Sequence, residues 1–280
     1  MPVSLGRLFN EIRQELLPVS GELAERDTEH IFEQVIHFSR SELYANFSLS
    51  VEKPQEAKIR TLAKQRLTGT PLPYVLGHTW FYSKKFRVTP DVLIPRPDTE
   101  ILIDTILQQE KDDRALFLDI GTGSGIIAET LTDTRPRWRA VAVDISIPAL
   151  NIARSNCSTC VLVVGSDKLS AFKPGIRVDF IASNPPYLST AEMKNIDKSV
   201  KEYEPLVGLG GGQDGLDFYR YLAVQGKPFI KRGGRIYCEI GASQNESVTD
   251  IFSATGWNAV SLRKDLAGRS RVVVAQNAPD

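Results

Sequence analysis

Apolar positions recur at helical spacing through roughly the first seventy residues, and beyond them the pattern switches to short apolar runs. Leu5, Leu8, Phe9, Ile12, Leu16 and Leu17 form one stripe, which Pro18 is expected to end. A second helix is expected from about Thr28, with Ile31, Phe32, Val35, Ile36 and Phe38 as its apolar face. Ser41 to Phe47 reads as a short helix. Pro54 opens a further one through Ala57 to Leu67, closed by Gly69. These amphipathic segments carry no catalytic constellation, so a small bundle with a recognition role is expected. Tyr74-Val75-Leu76-Gly77, Trp80-Phe81-Tyr82 and Phe86-Arg87-Val88 are aromatic and β-branched, and predict a hairpin around a Ser-Lys-Lys turn. Pro90 to Pro97, with three prolines in eight residues, reads as a rigid extended segment.

From about Ile101 helix and strand alternate. Strands are expected at Ala115–Ile120, Arg139–Val143, Val161–Val164, Val178–Ser183, Arg235–Ile240, Trp257–Leu262 and Arg271–Ala275. Helices are expected at Ile126–Thr132, Pro148–Asn156, Leu216–Phe229 and Gln244–Ala254. The last two strands have no helix between them, which implies an antiparallel hairpin on a parallel sheet. This α/β plan of seven strands suits a Rossmann-like class I methyltransferase core better than a six-stranded dinucleotide fold. The expected division is a helical domain over 1–72, a linking hairpin over 73–90 and the α/β domain over 91–280. No internal repeat is evident.

Composition narrows this further. With 280 residues and a hydrophobic share of 42%, the chain can bury a substantial core. No apolar run approaches the roughly 20 residues that span a bilayer. Met1 to Leu17 mixes acids and bases with apolar residues, unlike a secretory or transit signal. Cys157, Cys160 and Cys238 are an odd set. The C-x-x-C pair lies between a helix and a strand without partners, which fits a reducing cytoplasm. His30, His37 and His78 fall outside the expected sheet, and no metal site is expected. Lys plus Arg balance Asp plus Glu at 34 each, whereas nucleic-acid grip favours a basic excess. A protein or small-molecule acceptor is therefore expected, with no direct nucleic-acid or membrane partner.

Two motifs carry the chemistry. Asn184-Pro185-Pro186-Tyr187 follows the run Val178 to Ser183, and two prolines cannot continue a sheet ladder. The strand stops there and offers an Asn amide, a Pro carbonyl and an aromatic ring at its C-terminal edge, where open α/β sheets bind ligands. Two oxygens and a ring suit a planar NH2 group. Methyl transfer to an amide or exocyclic amine needs such help, because the nitrogen lone pair is delocalised.

Upstream, Asp119-Ile120-Gly121-Thr122-Gly123-Ser124-Gly125 closes the first strand and opens a helix, and its glycines allow close approach to a ligand. The dinucleotide fingerprint wants its third glycine one position later, at Ile126. Asp144, ending the next strand, is placed to accept from ribose hydroxyls, which fits NAD or S-adenosylmethionine. Asp119 either braces the loop or meets the methionine amino group. Asp167, after the third strand, is a candidate acceptor for the adenine amine.

With these motifs in place the chain resembles the HemK/PrmC family, protein-(glutamine-N5) methyltransferases of peptide chain release factors. The likeness covers almost the whole chain and is weakest in the first fifty residues. It rests on Gly69 to Gly77, Phe86 to Glu100 with its Ile94-Pro95-Arg96-Pro97-Asp98-Thr99-Glu100 stretch, Asp119 to Gly125, Ser183 to Tyr187, and Gly211 to Leu216. The resemblance implies that Gly121 to Gly125 and Asp144 hold S-adenosylmethionine. It implies that Asn184 to Tyr187 hold the glutamine of a Gly-Gly-Gln loop, with Pro95, Arg96 and Pro97 lining the site. Arg96 either contacts substrate or ties the hairpin to the core.

Two departures stand out. Lys168 occupies a position where the family often has an adenine-neighbouring Trp, and Glu204-Pro205-Leu206 replaces a frequent Glu-Pro-Arg. The implied reaction is direct in-line transfer by a monomer, with Asn184 and the Pro185 carbonyl accepting the amide hydrogens and Tyr187 packing on the amide plane. An adenine-N6 methyltransferase acting on DNA or RNA is the alternative, and a non-catalytic binding module is a second.

Overall fold

The computed structural model describes residues 3–173 and 175–278, so the outer ends of the expected segments 1–72 and 91–280 lie outside the described residues. The chain divides into two compact units, Met1–His78 and Thr79–Asp280.

The first unit is helical: α1 (Leu5–Ser20), α2 (Ala24–Ile36), α3 (Arg40–Ala45), α4 (Lys53–Leu67) and α5 (Leu72–Leu76). The Ser4 hydroxyl caps α1 by accepting from Arg7 N, and Leu5, Leu8, Phe9, Ile12 and Leu16 are buried at helical spacing. Pro18 does not end α1. It removes only its own N–H, and the helix runs on until Gly21, at φ +54, lets Gly21 N close on Leu17 O. Likewise α2 begins at Ala24, four residues before the expected Thr28, after a short 3-10 turn. Phe9 meets Phe32 at 5.4 Å in a core shared with Ile31, Leu43, Ile59 and Val75. Each such side chain contributes about 2 kcal/mol of burial. Gly6 is required by close approach, since a Cβ there would meet Phe47 Cβ at 2.9 Å.

Tyr74 to Leu76 is helical rather than strand-like. Pro71 O accepts from both Tyr74 N and Val75 N, and Gly77 at φ +75 stops the turn. The hairpin then pairs β1 (His78–Phe81) with β2 (Lys84–Arg87). Its turn is Tyr82-Ser83, both at positive φ (49 and 62), not the expected Ser-Lys-Lys. Two left-handed residues match the twist of a two-residue hairpin.

The second unit continues with α6 (Asp98–Gln109), β3 (Leu116–Ile120), α7 (Ile126–Thr134), β4 (Arg139–Asp144), α8 (Ile147–Asn156), β5 (Val161–Gly165) and β6 (Val178–Ser183). After two short helices, α9 (Thr190–Lys194) and α10 (Lys198–Tyr203), come α11 (Asp217–Gln225), β7 (Ile230–Glu239), α12 (Asn245–Ala254), β8 (Asn258–Lys264) and β9 (Ser270–Gln276). The expected helix to Phe229 stops at Gln225, with a separate 3-10 turn following, and β7 starts five residues before the expected Arg235.

Seven strands form one sheet in the order β5-β4-β3-β6-β7-β9-β8, with β9 antiparallel to both neighbours. The parallel strands are apolar on both faces because both are covered. Phe117, Phe180 and Tyr237 pack with Ile103, Leu131 and Trp138 on one side, while Leu118, Ile181 and Ile236 pack with Tyr219, Leu222 and Phe252 on the other. Chain order reverses between β3 and β6, so their C-terminal ends flank the crevice where such sheets bind ligands.

Candidate active site

A cavity of about 490 Å³ opens at that crevice, within the usual range for small-molecule sites. Its walls come from the segment before α6, the ends of β3, β4, β5 and β6, and the loop leading into α11.

The β3 end is a backbone cradle. Gly121, Gly123 and Gly125 all have positive φ (76, 55 and 83). Gly121 N and Thr122 N donate to Val143 O at 2.8 and 2.9 Å, which turns the loop over the end of β4. A Cβ at Gly125 would meet Cys157 Sγ at 2.6 Å, whereas one at Gly121 or Gly123 would meet nothing within 4 Å. The loop is thus packed behind and open in front. Asp144 lines the cavity, its Oδ2 accepting from Gly123 N and its Oδ1 from Ser146 N, both at 2.9 Å.

Asp119 lies beneath this loop and off the cavity wall. It is fully buried, accepts from Thr122 Oγ1 at 2.5 Å and Ala128 N at 3.2 Å, and leaves Oδ1 unpaired. Burial pushes its carboxyl up to about 7. Cys157 is equally inert, its thiol pushed up to about 12 by burial.

Past β5, Asp167 and Lys168 line the cavity and pair with each other at 3.1 Å. The Lys168 ammonium stands 4.9 Å from the Tyr221 ring and 5.5 Å from that of Phe218, two cavity residues that the motifs did not signal. The only sequence cue was their place one turn apart just after the Gly211-to-Leu216 segment.

Ser183 Oγ donates to Ile120 O at 2.6 Å and ties the end of β6 to β3. Asn184 and Pro186 then line the cavity, while Pro185 is buried and Tyr187 packs half-buried against the α11 side of the core. Neither of the last two is on the cavity wall. Burial raises the Tyr187 phenol above its ordinary value. The Tyr187 carbonyl accepts from Gln244 Nε2 at 2.9 Å, which fixes the turn. Gly211 sits against it, because a Cβ there would meet Pro186 O at 2.6 Å.

Arg96 lines the cavity and donates to Glu204 Oε1 at 2.5 Å. Glu204 is 5% exposed and also accepts from Ile94 N. Arg96 therefore joins the proline segment to the loop after α10, and Leu206, at the departure from the family pattern, lies 46% exposed beyond that pair.

Two further residues bear on Asn184. Its Nδ2 donates to Thr99 Oγ1 at 3.1 Å, and Thr99 donates to Glu239 Oε2 at 2.7 Å. Burial pushes the Glu239 carboxyl up to about 7, against the pull of the Thr99 hydrogen bond and of Arg271.

Among the described residues no cluster of His, Cys, Asp or Glu could hold a metal ion, and no helix is long and apolar enough to cross a membrane. The fold and site together define a class I, S-adenosylmethionine-dependent methyltransferase. Comparison with known proteins narrows the class. Residues 7–77 match the model of the PrmC N-terminal domain and residues 97–201 that of the methyltransferase small domain. The release factor glutamine methyltransferase of Geobacter sulfurreducens is 37% identical over 271 residues, covering 94% of this chain and 95% of its own. That of Coxiella burnetii is 34% identical over 280 residues, covering 98% and 99%. The chain belongs to the release factor glutamine methyltransferase family.

Solved structures show the fold alone. A methyltransferase from Pyrococcus furiosus aligns with TM-score 0.52 at 16% identity, covering 71% of this chain and 91% of that one. The hMettl16 catalytic domain in complex with MAT2A 3′UTR hairpin 1 aligns with TM-score 0.56 at 17% identity, covering 94% and 92%.

Proposed function

We infer that this enzyme methylates the side-chain amide nitrogen of the glutamine in the Gly-Gly-Gln motif of peptide chain release factors, as a cytoplasmic monomer. The observation that carries the reading is that Asn184 and the glycine cradle line one cavity, in a chain whose relatives match it nearly end to end. S-adenosylmethionine, when bound, supplies a methyl carbon activated by its positively charged sulfur. The residues present fit it. Open space in front of Gly121 and Gly123 admits the cofactor against backbone, and the Asp144 carboxylate accepts from ribose hydroxyls. Asp167, Lys168, Phe218 and Tyr221 offer the adenine end a carboxylate, a cation and two rings.

Asn184 Oδ1 accepts a hydrogen of the glutamine amide and favours the pyramidal nitrogen that attacks. Pro185, Pro186 and Tyr187 stiffen the turn that holds this acceptor, and Arg96 steadies the segment before α6. Asp119 acts through the loop it braces. Alignment and exclusion of water supply the rate, and the proton leaves to solvent after transfer. The N-terminal helices serve recognition of the release factor.

The test is transfer of labelled methyl to purified release factor beside duplex DNA and RNA. Label in the protein supports the reading, and label in adenine would replace it with the nucleic-acid alternative.

A further inference from the structure

We propose that Thr99 and Glu239 are positioning residues that decide which end of the Asn184 amide faces the cavity. The proposal rests on the reading of Asn184 as the acceptor for the substrate amide. An asparagine side chain is nearly symmetric in shape, and its oxygen and NH2 ends can exchange by a half-turn of the amide. Only one of the two orientations suits a substrate NH2 group. With the wrong one, donors would face donors.

The neighbours remove this ambiguity. In register Ser183 pairs with Cys238, so Asn184 and Glu239 are the next residues along adjacent parallel strands. Thr99 reaches the same point from the first turn of α6. Its hydroxyl has one hydrogen. Glu239 Oε2, at 2.7 Å, takes that hydrogen, which leaves the Thr99 hydroxyl only its lone pairs towards Asn184, 3.1 Å away.

A flipped Asn184 would set its oxygen against the Thr99 oxygen, whose only hydrogen is held by Glu239. Thr99 is 0% and Glu239 3% exposed, so no bulk water would relieve the clash. Unrelieved acceptor contacts at buried sites carry the full desolvation cost. Nδ2 is thus held inward and Oδ1 is left for the cavity. The same polarity favours acceptors with N–H groups and disfavours a carboxylate, which would bring oxygen to oxygen.

Steady-state kinetics on the full-length enzyme with intact release factor tests this, with S-adenosylmethionine Kd as the control for folding. Thr99→Val removes the hydroxyl at nearly constant volume. It is expected to lower kcat roughly 100-fold, the cost of about 1 Å of misplacement, while Kd moves less than about threefold. Thr99→Ser restores the hydroxyl and is expected to recover kcat to within about threefold of wild type. Glu239→Gln lets an amide NH2 compete for the place of the oxygen that takes the Thr99 hydrogen, and is expected to lower kcat about tenfold, with Kd again held.

Retention of wild-type kcat by Thr99→Val, or equal losses in Thr99→Val and Thr99→Ser, would overturn the proposal. If Thr99→Val loses cofactor binding, Glu239→Gln decides, and unchanged kcat there overturns it too. The underlying reading fails separately, when wild type leaves release factor unmethylated or Asn184→Ala keeps wild-type turnover.

Discussion

At the ends of β3 and β4 the cavity wall is mostly backbone. Three glycines at positive φ turn the loop, and the one carboxylate on it, Asp144, is half-buried and fixed by two main-chain N–H groups. At the end of β6 the wall is side chain, with Asn184 held by Thr99 and, through it, by Glu239 at the end of β7. The first half offers shape and a charge to a ligand that arrives with its own reactivity. The second fixes the polarity of one amide, which backbone alone does not do. Affinity and turnover should therefore separate between them.

The largest effect is expected on the side-chain half. Asn184→Ala should lower kcat about 1000-fold, as when a transition-state hydrogen-bonding group is removed, with cofactor Kd nearly unchanged. Equal losses in both would erase the distinction between the halves, and steady-state kinetics with calorimetry reads both.

Buried carboxylates lie beneath each half, and both are predicted to oppose stability as pH rises. Asp119 and Glu239 have ordinary values of 3.8 and 4.5 and are raised by burial to about 7 in the fold. Asp119 faces the Asp144 charge, while Glu239 faces Asp98, which raises it further, and Arg271, which pulls it down. Between the ordinary and the raised values the folded state holds protons that the unfolded chain has released. Stability should therefore fall by a few kcal/mol as pH rises from about 4 to 7. Asp119→Asn and Glu239→Gln should each flatten that slope in urea midpoints compared at pH about 5 and about 8. An unaltered slope in both variants would contradict the burial argument.

On the backbone half the effect is smaller. Asp144→Ala should weaken cofactor binding about 10- to 100-fold, the loss of charge-assisted hydrogen bonds, and leave kcat at saturating cofactor near wild type. Leu206→Arg should do least. Leu206 is 46% exposed, so a new guanidinium there is solvated and screened. Stability is expected to shift by no more than about 0.5 kcal/mol in thermal melts.

The backbone half was the more legible in the sequence. Glycine restricts the chain locally, so the loop at Gly121 could be read without knowing the neighbours, as proline allowed for the stop at Pro185 on the other half. The strands around them were placed to within a residue or two because both faces are buried and the runs are continuous, although β7 begins five residues before the expected Arg235. Local signals failed where context decided. Tyr82 and Ser83 take left-handed φ without glycine, and Tyr74 to Leu76 yield their strand propensity to Pro71 and Gly77.

The side-chain half was legible only in part. Nothing local links Thr99, Asn184 and Glu239, which lie far apart in sequence and meet only because β6 and β7 are neighbours. Glu239 reads as the polar end of an apolar strand. Tyr187, expected to pack on the substrate amide, sits off the cavity wall, since an aromatic after two prolines can serve the turn or the core as well as the site.

The most direct test is to localise the transferred methyl group by fragmentation mass spectrometry of release factor treated with the enzyme. One methyl is expected on the side-chain nitrogen of the Gly-Gly-Gln glutamine, absent with Asn184→Ala. A methyl at any other residue, or one that persists with Asn184→Ala, would contradict the proposed function.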